Sequence, residues 1–271
     1  MDAQENFISH LIELRDRLLK ACAAILLVFL CLMPWAGSVY DLLAMPMLAT
    51  LPAGTKMIAT GVITPFMVPI KVTLLAAFVL ALPVVLFQAW AFVAPGLYAH
   101  EKKFALPLVI GTTLLFLAGI AFCYFFVFNT VFKFIAEFAP ASITPAPDIE
   151  QYLAFVMTMF LAFGITFEVP VIVILLVRFG VVEIGKLVEA RPYVIVGAFV
   201  IAAVVTPPDV VSQFMLAVPM WLLYELGILL ARMIGTAKRA EDGAYLAPDT
   251  AAMDAELDRA EAESQANRSR D

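Results

Sequence analysis

Six runs of mostly apolar residues, at 18–36, 67–93, 105–128, 152–178, 192–206 and 210–231, decide what this chain can fold into. A helix needs about 20 such residues to cross the hydrocarbon of a bilayer; the run at 192–206 is short of that, and the others reach or approach it. Lipid offers no water to backbone N–H and C=O groups, so each run must close its hydrogen bonds within itself, as a helix. The expected fold is therefore all-α, a polytopic integral membrane protein of six transmembrane helices. Residues 1–235 form its membrane domain, and 236–271 form a polar, acidic tail expected to be disordered or at most a frayed helix.

Composition matters at two points. With 63% hydrophobic and only 15% charged residues, and a mean hydropathy of +0.96, a soluble globular domain is excluded. The formal net charge of −6 says little about partners, because Glu241, Asp242, Asp249, Asp254, Glu256, Asp258, Glu261, Glu263 and Asp271 all lie in the tail. The membrane domain without them is slightly basic, and nothing in the pattern suggests nucleic acid. Cys22, Cys31 and Cys123 fall inside apolar runs, which points to small core residues rather than a disulfide or metal framework.

Positive charge sets the orientation. An even number of crossings puts both termini on one side, together with Arg15, Arg17, Lys20, Lys102, Lys103, Arg178, Lys186, Arg191, Arg232 and the tail cations; Lys56, Lys71 and Lys133 fall on the other. The positive-inside rule then makes the termini cytoplasmic. The outer segments 37–66 and 129–150 carry Pro46, Pro52, Pro140, Pro145 and Pro147. They read as short interfacial helices broken by proline, forming a cap over the outer helix ends.

No nucleotide loop, metal-ligand spacing or nucleophile elbow is present, so no cofactor, metal or catalytic residue is expected. The chemistry that remains belongs to isolated charges. Phe87–Lys103 ends an apolar run at Pro95-Gly96 and delivers Glu101 beside Lys102 and Lys103, in a tight turn; Phe7–Arg17 places Glu13 just before the first run. Two readings stand for these acids: solvated salt bridges worth under about 1 kcal/mol, or two carboxylates on one face forming a receptor for a cationic peptide. Glu168 lies near the middle of the fourth run, where a carboxylate is a functional hypothesis by default. Two residues on, Pro170 cannot donate to the Thr166 carbonyl, so both features fall in one polar notch. Asp209, after Thr206-Pro-Pro208, suits a helix N-cap. Glu225, in the inner half of the last run, could reach the interface or pair with Arg232. His10 and His100 are ordinary interfacial residues, although His10 could stack or bond near Glu13.

Four ordered segments carry a family resemblance: Ser9–Arg15, Phe92–Lys103, Phe163–Pro170, and Thr206–Asp209 with Tyr224–Gly227. Together they resemble the TatC subunit of the twin-arginine, Sec-independent protein translocase, over residues 5 to 235. The resemblance implies a curved, glove-like six-helix bundle in the bacterial cytoplasmic (inner) membrane, with short last helices and an outer cap. It implies that Glu13 and Glu101, supported by Arg15 and Phe92, recognise the twin-arginine signal peptides of folded substrates. By the same resemblance Glu168 is the intramembrane acid, Pro46 a proline of the cap and Asp209 an outer-loop acid. The implied partners are the single-span subunits TatA and TatB, in an oligomeric receptor complex driven by the proton-motive force. A different class, a proton-coupled secondary transporter of a small solute working through Glu168, lacks the two matching halves common in such folds. An intramembrane enzyme lacks a nucleophile and base.

Overall fold

In the structure, a computed structural model, residues 2–49, 56–93, 102–138, 140, 146–206 and 209–246 are described. They are almost entirely helical. In chain order the helices are α1 (Asp2–Leu32), α2 (Ala36–Leu48), α3 (Thr64–Val93), α4 (Lys102–Phe122), α5 (Phe128–Phe138), α6 (Ile149–Arg178), α7 (Ile184–Glu189), α8 (Arg191–Val205) and α9 (Val210–Leu246). A 3-10 turn at Met33–Trp35 joins α1 to α2, and a π turn at Cys123–Val127 joins α4 to α5. Among the described residues the only extended pairing is a single bridge between Ile58 and Asp148.

Five stretches are long and apolar enough to cross a membrane: His10–Leu48, Thr64–Phe92, Leu106–Phe138, Ile149–Arg178 and Val210–Met233. The remaining expected span is α8, with 15 residues. At about 1.5 Å per residue it reaches only about 22 Å, short of a hydrocarbon core of about 30 Å. The last helix is longer than expected, since α9 runs to Leu246 and takes in residues 236–246 of the acidic segment. Residues 247–271 lie outside the described residues.

The central helix is α6, which packs on α4, α9 and α3, while α1 leans mainly on α3. The core is aromatic. Phe128 stacks on Phe132 and Phe160 at 5.5 and 5.4 Å between ring centroids, and Phe122 meets Phe163 and Phe167 at 5.8 Å each. Glycine allows the closest approaches: a Cβ at Gly119 would lie 2.6 Å from the Phe163 carbonyl oxygen. Small residues permit such contacts between membrane helices, where packing replaces the hydrophobic effect as the source of association. For the same reason Leu18, Leu19, Leu26, Leu27 and Leu30 of α1 stay exposed, since lipid is as apolar as the core.

Three expectations change. Cys22 and Cys31 are exposed, and only Cys123 is buried, because an apolar helix in lipid has no need to turn its small residues inward. Pro46 does not break the segment after the first span but sits inside α2, which follows α1 with only one tight turn between them. The 129–150 segment likewise begins as a direct continuation of α4. In α5, Phe128, Val131 and Phe132 recur at helical spacing and turn into the core.

Candidate functional site

The packing of α1 antiparallel to α3 brings the start of the first helix against the end of the second. His10 stacks on Phe92 with centroids 4.3 Å apart and planes 16° from parallel. Glu13, one turn along α1, shares that face, its Oε2 lying 4.0 Å from His10 Nδ1. Arg17, a further turn on, donates from Nε to Glu13 Oε1 at 2.9 Å, and its Nη2 reaches the same oxygen. Arg15 falls on another side of the helix and forks onto Asp16 instead, at 3.0 and 2.8 Å. The structure thus assembles His10, Glu13, Arg17 and Phe92 and leaves Arg15 apart. Glu101 lies outside the described residues, as do Pro95 and Gly96.

A second polar locus lies inside the bundle. Glu168 is 6% exposed on α6, and neither carboxylate oxygen has a hydrogen-bond partner among the described residues; the buried Thr166 hydroxyl has none either. Pro170, inside the same helix, withdraws the helical donor from the Thr166 carbonyl. Against this part of α6, Gly227 of α9 brings the two helices so close that a Cβ there would lie 2.9 Å from Pro170 Cα. A buried carboxylate with no partner is costly, and such groups call for an explanation.

Comparison with known proteins decides the family. The family model described as TatC, Sec-independent protein translocase protein, matches residues 9–219. The chain is 52% identical over 233 residues to the Sec-independent protein translocase protein TatC of Azotobacter chroococcum mcd 1, covering 86% of this chain and 91% of that one. It is 47% identical over 239 residues to the protein of that name from Escherichia coli (strain K12), covering 88% and 93%. This chain belongs to the TatC family. A crystal structure of the twin-arginine translocase receptor TatC superposes with a TM-score of 0.73 at 38% identity, over 83% of this chain and 98% of that one. The all-α, glove-like bundle of this TatC chain is therefore that of the family, which serves protein transport and is not enzymatic. Its long apolar helices make it a multi-pass membrane protein.

The other candidate residues of this TatC chain have plain local partners. Asp209 caps α9, its Oδ1 accepting from the Ser212 N–H at 2.7 Å. Pro46 cannot donate to the Leu42 carbonyl, and the Tyr124 hydroxyl donates to it instead at 2.8 Å. Glu225 pairs with Arg191, whose Nη2 lies 2.7 Å from Oε2. That contact joins α8 to α9, whereas sequence spacing suggests Arg232 in its place. A clasp at the cap end is not among the sequence expectations. Asp148 accepts from the Thr60 N–H and hydroxyl at 3.1 and 2.7 Å while capping α6 through the Glu150 and Gln151 N–H groups. Glu150 in turn holds Lys71 Nζ at 2.8 Å and the Thr64 hydroxyl at 3.0 Å. The sequence Pro147-Asp148-Ile149-Glu150 before an apolar run carries the helix-start half of that signal; the partners 79 to 88 residues away are invisible to it.

Proposed function

We propose that this TatC-family chain is the receptor for twin-arginine signal peptides and the core scaffold of the Tat translocase. It acts in the bacterial cytoplasmic membrane, with both termini and the basic helix ends in the cytoplasm, and it exports folded proteins using the proton-motive force. The observation that carries this reading is His10, which lies 4.0 Å from the Glu13 carboxylate and stacks on Phe92, so that α1 and α3 meet beside Glu13. Glu101, the second acid of this reading, follows Phe92 by nine residues in the sequence. Arg17 occupies Oε1 of Glu13, and an incoming guanidinium meets the Oε2 edge or displaces Arg17. Arginine presents a planar fork that grips a carboxylate bidentately, whereas lysine is a point charge, so two such acids favour Arg-Arg over Lys-Lys.

Glu168 serves a different step. Its carboxylate, without a partner among the described residues, suits a polar group brought by another polypeptide, and the single-span subunits TatA and TatB are the partners proposed for it, within an oligomeric receptor complex. The deciding experiment is binding of Arg-Arg and Lys-Lys signal peptides to the purified full-length chain. Arg-Arg peptide should bind at least about tenfold more tightly, from charged hydrogen bonds worth roughly 1.5 to 3 kcal/mol each. Glu13→Ala and Glu101→Ala should each erase that preference without lowering the amount of protein inserted in the membrane. Equal binding of the two peptides, or a preference that survives both substitutions, refutes the receptor role.

A further inference from the structure

The Glu13 carboxylate is half taken by its own helix. Arg17 donates to Oε1 from Nε at 2.9 Å and from Nη2 as well, and a carboxylate oxygen has about two lone-pair sites, so one arginine fills Oε1. At the other oxygen His10 Nδ1 stands 4.0 Å from Oε2, beyond hydrogen-bond reach, and the His10 ring is stacked on Phe92. Arg15 does not compete for Glu13, because its guanidinium is forked onto Asp16 at 3.0 and 2.8 Å.

Helix periodicity builds this contact in. An acid followed four residues later by a base is the favourable order for an ion pair on one helix face. Arg17 is also the more sheltered guanidinium: 24% of its side chain is exposed, against 67% for Arg15. It immediately precedes Leu18, where the first apolar run begins, and a part-buried pair at that boundary is screened less by salt than one in open water. The empty site therefore already holds what an arginine ligand would bring, a guanidinium on Glu13.

We propose, resting on the reading of this chain as the twin-arginine receptor, that Arg17 is a self-competing latch: an internal stand-in for a signal arginine that keeps Glu13 closed until the peptide displaces it. A planar fork gripping a carboxylate bidentately needs both oxygens. Oε1 is full, so such an arginine binds only as Arg17 lets go. A lysine, as a point charge, pairs with Oε2 alone and leaves Arg17 in place. Exchanging one guanidinium for another at Glu13 gains little, so a lone arginine does not open the latch, and the net affinity of an Arg-Arg peptide comes from its further contacts. Arg17 thus guards the empty acid against single arginines, a device of specificity rather than of affinity.

The test measures binding of Arg-Arg and Lys-Lys signal peptides to the purified full-length chain, with folding of each variant checked by thermal unfolding. Arg17→Gln removes the latch, and Arg-Arg peptide should bind about threefold more tightly, the size expected for a part-exposed ion pair, while Lys-Lys binding changes by less. Arg17→Lys keeps the charge but fills only one site on Oε1, so it should show most of the same gain, which separates competition from a loss of positive charge. In a Glu13→Ala background Arg17→Gln should change nothing. Should Arg17→Gln fail to fold, Arg17→Lys decides. Equal binding of the two peptides by the wild-type chain refutes the receptor reading and the latch together. A wild-type preference for Arg-Arg that the folded Arg17 variants weaken or leave unchanged overturns the latch alone, and so do equal gains for both peptides.

Discussion

The cap end of the molecule and the notch around Glu168 use the same building materials and finish them differently. Each has a proline inside a helix, Pro46 in α2 and Pro170 in α6, and each proline withdraws a donor from the carbonyl four residues earlier. At the cap the freed Leu42 carbonyl is taken by Tyr124, the Tyr152 hydroxyl donates to the Leu43 carbonyl at 2.7 Å, and Asp148 and Glu150 are fully engaged. In the notch the Thr166 hydroxyl and both oxygens of Glu168 are buried without partners among the described residues. A satisfied polar network stiffens a structure, and an unsatisfied one weakens it. The cap is thus built for stability, whereas the notch gives up stability, as the partner contact proposed for Glu168 requires.

The largest effect that can break this contrast comes from Glu168→Ala. Removing a buried acid that has no partner among the described residues should leave the thermal midpoint unchanged or raised, while signal-dependent export of a folded reporter falls to background and Arg-Arg peptide binding persists. A lowered midpoint, measured by thermal unfolding in detergent, would place Glu168 with the cap residues as a structural group. Next is Gly227→Ala on the facing helix. Its new methyl would meet Pro170 Cα and Val173 Cβ at 2.9 and 3.0 Å, so α6 and α9 must separate, at about 1 to 3 kcal/mol for overpacking. The same midpoint measurement checks it, and an unchanged value would show that the helices part freely at the notch.

What the sequence reveals of this arrangement follows the same divide between local and distant. The helical, apolar character of the long stretches, the N-cap at Asp209 and the pairing of Glu168 with Pro170 on one helix are local patterns of hydropathy and punctuation, and the structure has them. Contacts between remote segments leave no such trace. Glu225 has Arg232 as a neighbour in sequence, but its partner Arg191 is 34 residues away on α8. Glu13 sits among several cations, and helical periodicity selects Arg17 at i+4, sending Arg15 to Asp16. The exposure of Cys22 and Cys31 escapes burial rules drawn from water, which do not order an apolar helix in lipid.

A smaller effect tests the cap's half of the comparison directly. Tyr124→Phe removes the hydroxyl that serves the Leu42 carbonyl and should cost about 1 kcal/mol. Pro46→Ala restores the helical donor to that carbonyl, so in its background Tyr124→Phe should cost less. A double-mutant cycle measures the difference. Additive costs would separate the proline from the tyrosine and leave Pro46 without a matched partner in the cap.

The smallest effect is a pH dependence confined to the cap. The Thr60 hydroxyl first, then the N–H groups of Gln151, Glu150 and Thr60, hold the Asp148 carboxyl below its ordinary range, against the opposing effect of desolvation. A carboxyl with a lowered folded-state pKa binds protons more readily when unfolded. Its contribution is therefore complete above the ordinary carboxylate range and is lost as pH falls through the lowered value. Acidification should lower the midpoint of the wild-type chain more than that of Asp148→Asn, and the two curves should converge at the acid end. At neutral pH the variant should melt slightly lower, because an amide oxygen can still cap α6 but accepts from Thr60 more weakly. Parallel curves over the whole range would mean that the tie between Thr60 and the start of α6 adds nothing to stability, and the cap would then lose its claim to be the rigid half of the molecule.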